Sequence, residues 1–471
     1  MSGVLWTYAD ILAAVDGLSE GSAPPDLPVT SVSIDTRTLE PGALFVAIRG
    51  ERLDGHDYVA QAFEAGAACA LVAEDAQVDG GGPLVVVPDT LAALEALGRS
   101  ARARTSATII AVTGSVGKTG TKEGLRLALA PSGKVHASEK SYNNQWGVPL
   151  SLANMPADTA FGVFEIGMNH PGEITPLTRM VRPGIAIVTT VEPVHLEFFD
   201  SVAQIAEAKA EIFAGLEPGG TAILNRDNPH FALLQERAEQ AGAGRILSFG
   251  RHRDAAVRLI AVREESDGSR VEADIEGASL SYVVGSPGLH LVLNSLAILA
   301  AVKESGGDLA SGAEALRGFR AQTGRGAREV FELPAGAVLL IDESYNANPA
   351  SMRAALRTLG GVARSDYSRR VAVLGDMLEL GGSSPQLHRD LAEAVDEAGV
   401  DVVFACGQHM RGMYDALSES RRGGYAATSQ ELLPVLLDQV GPGDAIMVKG
   451  SLGSQMGLLV DAVRSRFSSQ G

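Results

Sequence analysis

One glycine-rich turn constrains the fold of this chain more than any other feature. The apolar run Ile109–Val112 leads into the turn Thr-Gly-Ser-Val-Gly-Lys-Thr at residues 113–119, and a segment of helical character follows. This order of strand, turn and helix is that of a phosphate-binding loop, in which glycines let backbone N–H groups approach phosphate oxygens and the helix dipole favours the anion. The sequence therefore predicts an α/β domain that binds a nucleoside triphosphate.

The loop supplies two functional side chains in addition to its backbone. Lys118 places a positive charge for the β- and γ-phosphates, and the Thr119 hydroxyl suits Mg²⁺. Val112 stands where the full Walker pattern has a glycine, so the match is to the shorter Gly-x-x-Gly-Lys-Thr. We expect ATP to contact the whole loop, which comprises Gly114, Ser115, Val116, Gly117, Lys118, Thr119 and Gly120.

Composition excludes some classes of partner. The chain has 471 residues, of which 45% are hydrophobic, and this length predicts about three domains. Its 57 acidic and 39 basic residues give a formal net charge of −18, which repels nucleic acid and anionic membranes. We therefore expect neither a nucleic-acid nor a membrane partner.

Cysteine usage and the N-terminal residues favour a cytoplasmic protein. Cys69 and Cys406 lie far apart in apolar runs, as is typical of reduced core thiols. Residues 1–20 lack the basic start of a signal peptide, and no apolar run reaches membrane-spanning length. We expect a cytoplasmic location.

Three successive series of apolar runs and helical segments predict three α/β domains. Residues 1–104 carry short runs and end with a long helix at Thr90–Ala103. Residues 105–322 alternate buried strands and helices, which favours a doubly wound, mostly parallel sheet. Within them, residues 218 to about 285 indicate further strands, with a charged and variable insertion at 251–276. Residues 323–471 repeat the alternation and predict a Rossmann-like C-terminal domain.

Polar residues follow several of the apolar runs. Glu165 and Asp342 come directly after two runs, Lys449 after a third, and His195 a short loop after a fourth. Ligands gather outside the carboxyl ends of the strands in such sheets. We therefore expect Glu165 and His195 to face the phosphate loop, and Asp342 and Lys449 to form the second wall of one cleft.

Taken together, the motifs point to a known family. The chain resembles the Mur ligases of bacterial peptidoglycan synthesis, and the resemblance extends from the first predicted domain to the last. The segments that carry it are Asp35-Thr36-Arg37, Asp54-Gly55-His56, the loop at residues 113–119, Tyr142-Asn143-Asn144 with Gly147-Val148-Pro149, Glu165 to Asn169, His195-Leu196-Glu197, Lys209 to Phe213 and Asp342 to Met352.

The resemblance implies an ATP-dependent ligase that forms an amide bond. The terminal carboxylate of a peptide attacks the γ-phosphate of ATP, and an amine captures the resulting acyl phosphate. This attack brings like charges together, so catalysis requires positioning and positive charge. The run Tyr345–Met352 resembles the branch that joins UDP-N-acetylmuramoyl-tripeptide to D-alanyl-D-alanine. We expect ATP, two Mg²⁺ ions and a monomeric enzyme.

Two other interpretations stay open at this point. A sister ligase would add a diamino acid, meso-diaminopimelate or lysine, to a shorter precursor, but the C-terminal motif expected for it is not visible. A P-loop ATPase switch would hydrolyse ATP without ligation. That interpretation requires an aspartate at the end of the strand after the loop, where this chain has Glu165. The sequence does not determine whether the third residue of the accepted peptide is diaminopimelate or lysine.

The resemblance also implies catalytic and metal-binding residues. Lys118, Glu165, His195 and Lys209 form the catalytic set, and Thr119 holds the nucleotide-bound Mg²⁺. Glu165 and His195 suit a second Mg²⁺ between the γ-phosphate and the substrate carboxylate. An ammonium has the wrong sign for a metal site, but in this family the lysine that matches Lys209 is carbamylated by CO₂, which converts it into an anionic oxygen ligand.

On the other side of ATP, the resemblance implies contacts from the end of the central domain and from the C-terminal domain. Asn294 lies four residues after His290, so both can occupy one helix face, and Asn294 matches a residue near adenine. Arg325 and Asp342 match residues at the phosphates and the ribose. Arg328 follows three residues after Arg325 and is an alternative phosphate contact.

For the other substrates, the implied contacts come from all three domains. Closure around them would use hinges near Arg104–Ser106 and 322–326. The Lys-Gly-Ser segment at 449–451 is followed by no arginine that could bind the incoming carboxylate. The implied contacts are Ser33, Asp35, Thr36 and Arg37 for the UDP group, Asn143 and Asn144 for the muramoyl-peptide, and Asn346, Asn348 and Lys449 for the dipeptide.

Overall fold

Strands of the chain form three main sheets, one after another along the sequence. The structure is a computed structural model, and it describes residues 3–50, 52–78, 81–139, 141–194, 196–265 and 268–468. Elements are numbered here in chain order over those residues. The three-domain α/β fold and the mostly parallel sheets predicted from the sequence are confirmed.

The first sheet has the strand order β2-β7-β6-β5-β4, and a short antiparallel pair, β1 and β3, flanks it. Strands β4 to β7 are parallel, and the edge strand β2 is antiparallel to β7. Asp89 caps helix α3 by accepting the N–H groups of Leu91 and Ala92, which explains why that helix begins where it was predicted. The elements are β1 Trp6–Thr7, α1 Tyr8–Val15, β2 Leu18–Glu20, β3 Pro28–Val29, β4 Ser31–Ser33, β5 Ala43–Val46, α2 Val59–Glu64, β6 Cys69–Ala73, β7 Leu84–Val87 and α3 Thr90–Ala103.

The central sheet has the order β16-β15-β14-β13-β12-β11-β8-β10-β9. Strand β8, which precedes the phosphate loop, is buried between β11 and β10, and helices cover both faces of the sheet. The elements are β8 Thr108–Thr113, α4 Lys118–Leu129, β9 Val135–Ala137, α5 Gly147–Ala153, β10 Phe161–Glu165, α6 Ile174–Val181, β11 Ile185–Val188, α7 Val202–Ala210, β12 Thr221–Asn225, α8 Phe231–Gln240, β13 Arg245–Gly250, β14 Val257–Glu265, β15 Gly268–Ile275, β16 Ala278–Val284, α9 Leu289–Glu304 and α10 Leu309–Ala315.

The charged stretch at residues 251–276 extends this sheet. Strand β14 continues the parallel order beside β13, and β15 and β16 then run antiparallel as a meander. Alternating exposed and buried residues along β15, from Arg270 to Ile275, are typical of a sheet with one solvated face. The described part of the predicted insertion therefore forms strands at the edge of the sheet farthest from β9.

The C-terminal sheet has the order β17-β18-β22-β19-β20-β21, in which only β17 is antiparallel among the described strands. Both cysteines are buried and free, as predicted. No helix in the described ranges is long and apolar enough to cross a membrane. The elements are β17 Ala327–Phe331, β18 Val338–Glu343, α11 Pro349–Gly360, β19 Arg369–Gly375, α12 Ser384–Arg389, α13 Leu391–Glu397, β20 Val402–Cys406, α14 Met410–Ala416, β21 Arg422–Ala426, α15 Ser429–Gln439, β22 Asp444–Lys449 and α16 Gly457–Ser468.

Candidate active site

The phosphate loop lies between β8 and α4, where its two glycines are sterically required. Gly114 and Gly117 have φ values of 149° and 88°. A Cβ at Gly114 would lie 1.9 Å from Thr189 Oγ1, and one at Gly117 would lie 2.5 Å from Asn294 Nδ2. Only glycine combines this backbone conformation with such close approach. The same geometry brings Asn294 of α9 against the loop.

The segment that follows β11 forms hydrogen bonds with the loop. The Thr189 hydroxyl donates to the carbonyl oxygen of Val116 at 2.6 Å. Ser115 Oγ accepts the backbone N–H of Glu192 at 2.9 Å and donates to the Glu192 carbonyl oxygen at 3.1 Å. Burial raises the pKa of the Glu192 carboxyl. These contacts fix the loop backbone in a shape that can receive an anion.

Four buried side-chain oxygens in or beside the loop lack hydrogen-bond partners among the described residues: Thr113 Oγ1, Thr119 Oγ1, Thr121 Oγ1 and Glu165 Oε2. Of these, Thr119 Oγ1 and Glu165 Oε2 belong to predicted metal ligands, and Glu165 Oε1 accepts Asn143 Nδ2 at 2.7 Å. Glu165 pairs in register with Val112, so its carboxylate lies at the base of the loop. Buried polar oxygens normally have partners. A hydroxyl and a carboxylate oxygen left without them suit Mg²⁺, which keeps waters and phosphates as its other ligands.

The described residues contain no cluster of three or more His, Cys, Asp or Glu side chains that could hold a metal. A Mg²⁺ site here would therefore depend on Thr119, Glu165 and the nucleotide itself. His195, predicted as a further ligand, lies outside the described residues. Its role stays a prediction.

Two lysines, the half-buried Lys118 and the buried Lys209, have lowered pKa values. Lys118 Nζ donates to the Gly114 carbonyl oxygen at 2.7 Å, and burial lowers its pKa while Glu165 opposes the shift. Lys209, in the last turn of α7, is 2% exposed. Burial, and then the nearby charge of Lys118, lower the pKa of Lys209 well below the ordinary value. The Lys209 amine is thus biased toward its neutral form.

A cavity of about 290 Å³ separates the central and C-terminal domains. We call it the nucleotide cavity, because the loop from Ser115 to Lys118 forms one wall. The central domain also contributes Asn143, Glu165 and Asn294. The C-terminal side contributes Arg325, Glu343, Tyr345, Asn346, Asn348 and Lys449.

The structure distinguishes between the two candidate arginines. Arg325 lines the nucleotide cavity, and its Nη2 donates to Ser141 Oγ of the central domain at 3.2 Å. Arg328 lies in β17 outside the cavity wall, and burial lowers its pKa. Arg325 is therefore the arginine in position to contact a nucleotide.

Asp342 and Glu343 occupy opposite sides of β18. Asp342 is 1% exposed and is not part of the cavity wall, whereas Glu343 lines the cavity. Lys449 Nζ lies 3.2 Å from Glu343 Oε2 and donates to the Asn346 carbonyl oxygen at 2.8 Å. Successive residues of a strand point to opposite faces, so Glu343 and not Asp342 lines the cavity; the nucleotide contact that the family resemblance implies for Asp342 stays a prediction.

Two of the predicted asparagines have local structural partners. Asn144 Oδ1 accepts the N–H of Gly147 at 2.9 Å, at the start of α5. Asn348 caps α11, forming a reciprocal pair with Ser351. Asn348 lines the nucleotide cavity, whereas Asn144 does not. The contacts predicted for these residues with substrate stay predictions.

A second cavity, of about 440 Å³, lies between the first and central domains. We call it the N-terminal cavity. Ser33 and Asp35 line it, together with Arg126 of α4. Arg37 is paired with Asp35 at 2.7 Å and Thr36 with Gln61 at 3.3 Å, and neither Arg37 nor Thr36 lines the wall.

Several cavity residues were missed by the sequence prediction. Ser141, Phe319 and Glu343 line the nucleotide cavity, and Thr189 supports the loop. Strand alternation after Ile341 could have indicated Glu343. No local signal distinguishes Ser141 or Phe319, because their positions depend on how two domains meet.

The fold and the nucleotide cavity define a three-domain α/β enzyme that uses ATP. Family models described as the Mur ligase family catalytic domain, the Mur ligase middle domain and the Mur ligase glutamate ligase domain match residues 28–107, 112–302 and 329–452. The chain belongs to the Mur ligase family, and it is an ATP-dependent ligase.

Individual relatives match over almost the whole chain. UDP-N-acetylmuramoyl-tripeptide–D-alanyl-D-alanine ligase of Escherichia coli (strain K12) is 33% identical over 461 residues, which cover 97% of this chain and 98% of that protein. A crystal structure of MurF from Acinetobacter baumannii has a TM-score of 0.83 at 30% identity, covering 97% and 98% of the two chains. MurF ligase from Thermotoga maritima, in complex with ADP, shares the fold with a TM-score of 0.77 at 24% identity, covering 94% and 98%.

Proposed function

We propose that this chain joins UDP-N-acetylmuramoyl-tripeptide to D-alanyl-D-alanine at the cost of ATP, in the synthesis of the peptidoglycan precursor. The observation that carries the proposal is the nucleotide cavity, where Lys118, Glu165 and Arg325 converge from two domains. The near full-length similarity to ligases named for this reaction supports the choice of substrates. Its reagents, ATP and a UDP-linked precursor, support a cytoplasmic location.

The first step is attack of the tripeptide carboxylate on the γ-phosphate of ATP. One carboxylate oxygen forms a bond to phosphorus while the bond to the β-phosphate oxygen breaks, which gives an acyl phosphate and ADP. Lys118 and Arg325 supply positive charge from opposite walls of the cavity. Positive charge in a partly buried site stabilises the spreading negative charge of this transition state.

The second step is capture of the acyl phosphate by the amine of D-alanyl-D-alanine. The nitrogen bonds to the acyl carbon, the proton leaves, and inorganic phosphate departs. Water in the cavity would compete with the amine, so contact between the two domains protects the intermediate. The Ser141–Arg325 hydrogen bond is one such contact.

Mg²⁺ would be held by Thr119 and Glu165, because their oxygens are buried and without partners. When bound, the metal neutralises phosphate charge and orients the γ-phosphate. Asn143 keeps Glu165 in place through its 2.7 Å hydrogen bond. This arrangement leaves one Glu165 oxygen directed away from protein partners.

Carbamylation of Lys209 belongs to the same proposal. The neutral amine attacks CO₂, a nitrogen–carbon bond forms and one proton is released, which leaves an anionic carbamate. The lowered pKa of Lys209 favours this step, because only the uncharged amine is a nucleophile. A carbamate would also place a negative charge near the Lys118 side chain, whose charge lowers the pKa of the unmodified Lys209.

The UDP end of the substrate is assigned to the N-terminal cavity. Ser33 and Asp35 line that cavity on the side of the first domain, and Arg126 supplies positive charge from the central domain. A diphosphate group needs such charge. The peptide would then extend toward the nucleotide cavity past Asn143.

A coupling assay tests the proposal. The purified chain is incubated with ATP, Mg²⁺ and UDP-N-acetylmuramoyl-tripeptide, and product mass and phosphate release are followed with D-alanyl-D-alanine or with meso-diaminopimelate as the amine. The proposal predicts a product enlarged by the dipeptide. In a parallel reaction with UDP-N-acetylmuramoyl-dipeptide as the precursor, incorporation of diaminopimelate, with no use of D-alanyl-D-alanine in the first reaction, would identify the sister ligase instead.

A further inference from the structure

The connection between the central and C-terminal domains is a turn that presents one arginine to the nucleotide cavity. In this turn, residues 322–326, the N–H of Arg325 donates to the Gln322 carbonyl oxygen at 2.8 Å. Gly324 and Gly326 have φ values of 76° and 97°. The turn places the Arg325 guanidinium beside Ser141 of the central domain.

The carboxylate of Asp342 is directed at this turn. Asp342 Oδ2 accepts the Gly324 N–H at 2.9 Å, and Oδ1 accepts the Ser344 hydroxyl at 2.6 Å and its N–H at 3.1 Å. The Asp342 carbonyl oxygen also accepts the Gly326 N–H at 2.7 Å. Asp342 therefore holds the turn on both sides of Arg325, and both of its carboxylate oxygens have partners inside the protein.

The ring of Tyr345 holds the arginine side chain itself. Arg325 Cζ lies 4.1 Å from the centre of that ring, a cation–π contact. The Tyr345 N–H donates to the Gly324 carbonyl oxygen at 3.0 Å, and a Cβ on Gly324 would lie 2.8 Å from Tyr345 Cβ. Backbone and ring thus fix the turn and the guanidinium relative to each other.

We propose that Asp342 and Tyr345 are positioning residues that hold Arg325 at the phosphates of the nucleotide and act only through it. This inference rests on the proposed function, and it gives Asp342 a different role from direct contact with ATP. An arginine side chain has large rotamer entropy. Holding it before the nucleotide arrives strengthens binding without adding a contact to the ligand.

A double-mutant cycle on nucleotide affinity tests this inference. Calorimetry measures the dissociation constant of a non-hydrolysable ATP analogue with Mg²⁺ for wild type, Arg325→Ala, Tyr345→Leu and the double variant. We expect Arg325→Ala to weaken binding about 30-fold, as for loss of a charge-assisted contact, and Tyr345→Leu to weaken it about fivefold. The double variant should bind no more weakly than Arg325→Ala alone, because the tyrosine has nothing left to position.

Two further variants make the test specific. Tyr345→Phe keeps a ring under the guanidinium and should recover most of the affinity that Tyr345→Leu loses. Tyr414→Leu removes a ring whose centre lies 5.8 Å from Arg422 Cζ, away from the cavity, and should leave the affinity unchanged. Tyr345 is 37% exposed, so its replacement is compatible with folding, which thermal unfolding of each variant verifies.

Asp342→Asn provides a second route to the same result. It keeps the shape of the side chain but removes its charge and one hydrogen-bond acceptor. We expect about a fivefold loss of nucleotide affinity, and no such loss when Arg325 is already replaced by alanine. If Tyr345→Leu or Asp342→Asn weakens binding as much without Arg325 as with it, that residue acts on the nucleotide independently and the inference is wrong.

Nucleotide binding does not require the amine substrate, so the outcome is separate from that of the proposed function. If the wild-type chain binds the analogue but ligates another amine, the proposed substrates are wrong. The double-mutant cycle on nucleotide affinity can still be interpreted. If the losses of nucleotide affinity in the cycle are additive, only the positioning roles of Asp342 and Tyr345 are contradicted.

Discussion

The nucleotide cavity and the N-terminal cavity lie at opposite ends of helix α4. Their polar side chains differ in burial and in hydrogen bonding. Beside the first cavity, Lys118 is half-buried with a lowered pKa, and Thr119 and Glu165 keep oxygens without protein partners. At the second, Arg126 is half exposed and already bonded to Glu123 at 2.8 Å. Polar groups that are removed from water and lack protein partners are suited to catalysis. Polar groups that are exposed and already paired are suited to substrate recognition.

The two connections between domains also differ in the contacts that their residues make. Arg104, at the predicted first hinge, donates to the carbonyl oxygens of Leu5 and Met155 and stacks 3.7 Å from the Trp6 ring. The second connection is the glycine turn at 322–326, held by Asp342. The contacts at Arg104 join the first domain firmly to the central one, so we expect domain movement to be concentrated at the second connection.

The largest effect should come from Lys118, at the end of α4 that adjoins the phosphate loop. Lys118→Ala removes the charge that faces the γ-phosphate, and we expect kcat to fall about 1,000-fold. Steady-state kinetics of the coupling reaction measures this, with circular dichroism as the check on folding. Activity within tenfold of wild type would show that the loop does not place Lys118 at the reacting phosphate.

Lys209→Ala should have the next largest effect, about a 100-fold loss of activity. Added formate or acetate should restore part of it, because a small carboxylate can occupy the place of the carbamate. Lys134→Ala is the matched control, since Lys134 is half exposed and pairs with Asp158 on the surface. A fully active Lys209→Ala enzyme, or one that no carboxylate rescues, would contradict the carbamate.

Arg325 and Arg328 offer a direct comparison three residues apart. We expect Arg325→Ala to raise the KM for ATP about 30-fold, whereas Arg328→Gln leaves that KM unchanged because its side chain lies outside the cavity. Initial rates at varied ATP concentration separate the two. The reverse order of effects would mean that the bound nucleotide rearranges β17.

The exposed end of α4 should give a smaller and different result. We expect Arg126→Ala to raise the KM for the UDP-linked substrate about fivefold, without changing kcat or the KM for ATP. Initial rates at varied UDP-N-acetylmuramoyl-tripeptide test this. An increase in the KM for ATP instead would show that the two cavities are not separate binding regions.

The smallest effect concerns stability and pH. Because the folded pKa of Lys209 is depressed, the unfolded state binds an extra proton between that pKa and the ordinary value of 10.5, so this residue lowers stability most at low pH and the cost falls as pH rises. In CO₂-free buffer, Lys209→Met should therefore raise the urea midpoint more at about pH 7 than at about pH 9.5. An equal gain at both values would indicate that Lys209 has an ordinary pKa.

Local patterns predicted much of this molecule, and contacts between domains account for what they missed. The helix Thr90–Ala103 matches its predicted bounds, because the Asp89 cap encodes its start locally. The placement of Glu343 rather than Asp342 at the cavity depends on which face of β18 meets the central domain. The orientation of β18 is set by tertiary packing and cannot be read from the local sequence.

The support of the phosphate loop was also missed, for a related reason. Thr189 follows β11, far along the chain from the loop, and reaches Val116 only because β11 pairs with β8. Motif spacing indicated Gly114 and Gly117 but not the residues that make those glycines necessary. A parallel sheet brings such distant segments together at one edge.

In the proposed reaction, the substrate carboxylate attacks ATP in the nucleotide cavity. Tripeptide substrate labelled with ¹⁸O in its terminal carboxylate is incubated with the enzyme, ATP, Mg²⁺ and D-alanyl-D-alanine, and the released phosphate is analysed by mass spectrometry. We predict that one labelled oxygen passes to phosphate for each amide bond formed. Phosphate that carries no label, released whether or not the peptide is present, would contradict it and identify an ATPase without ligation.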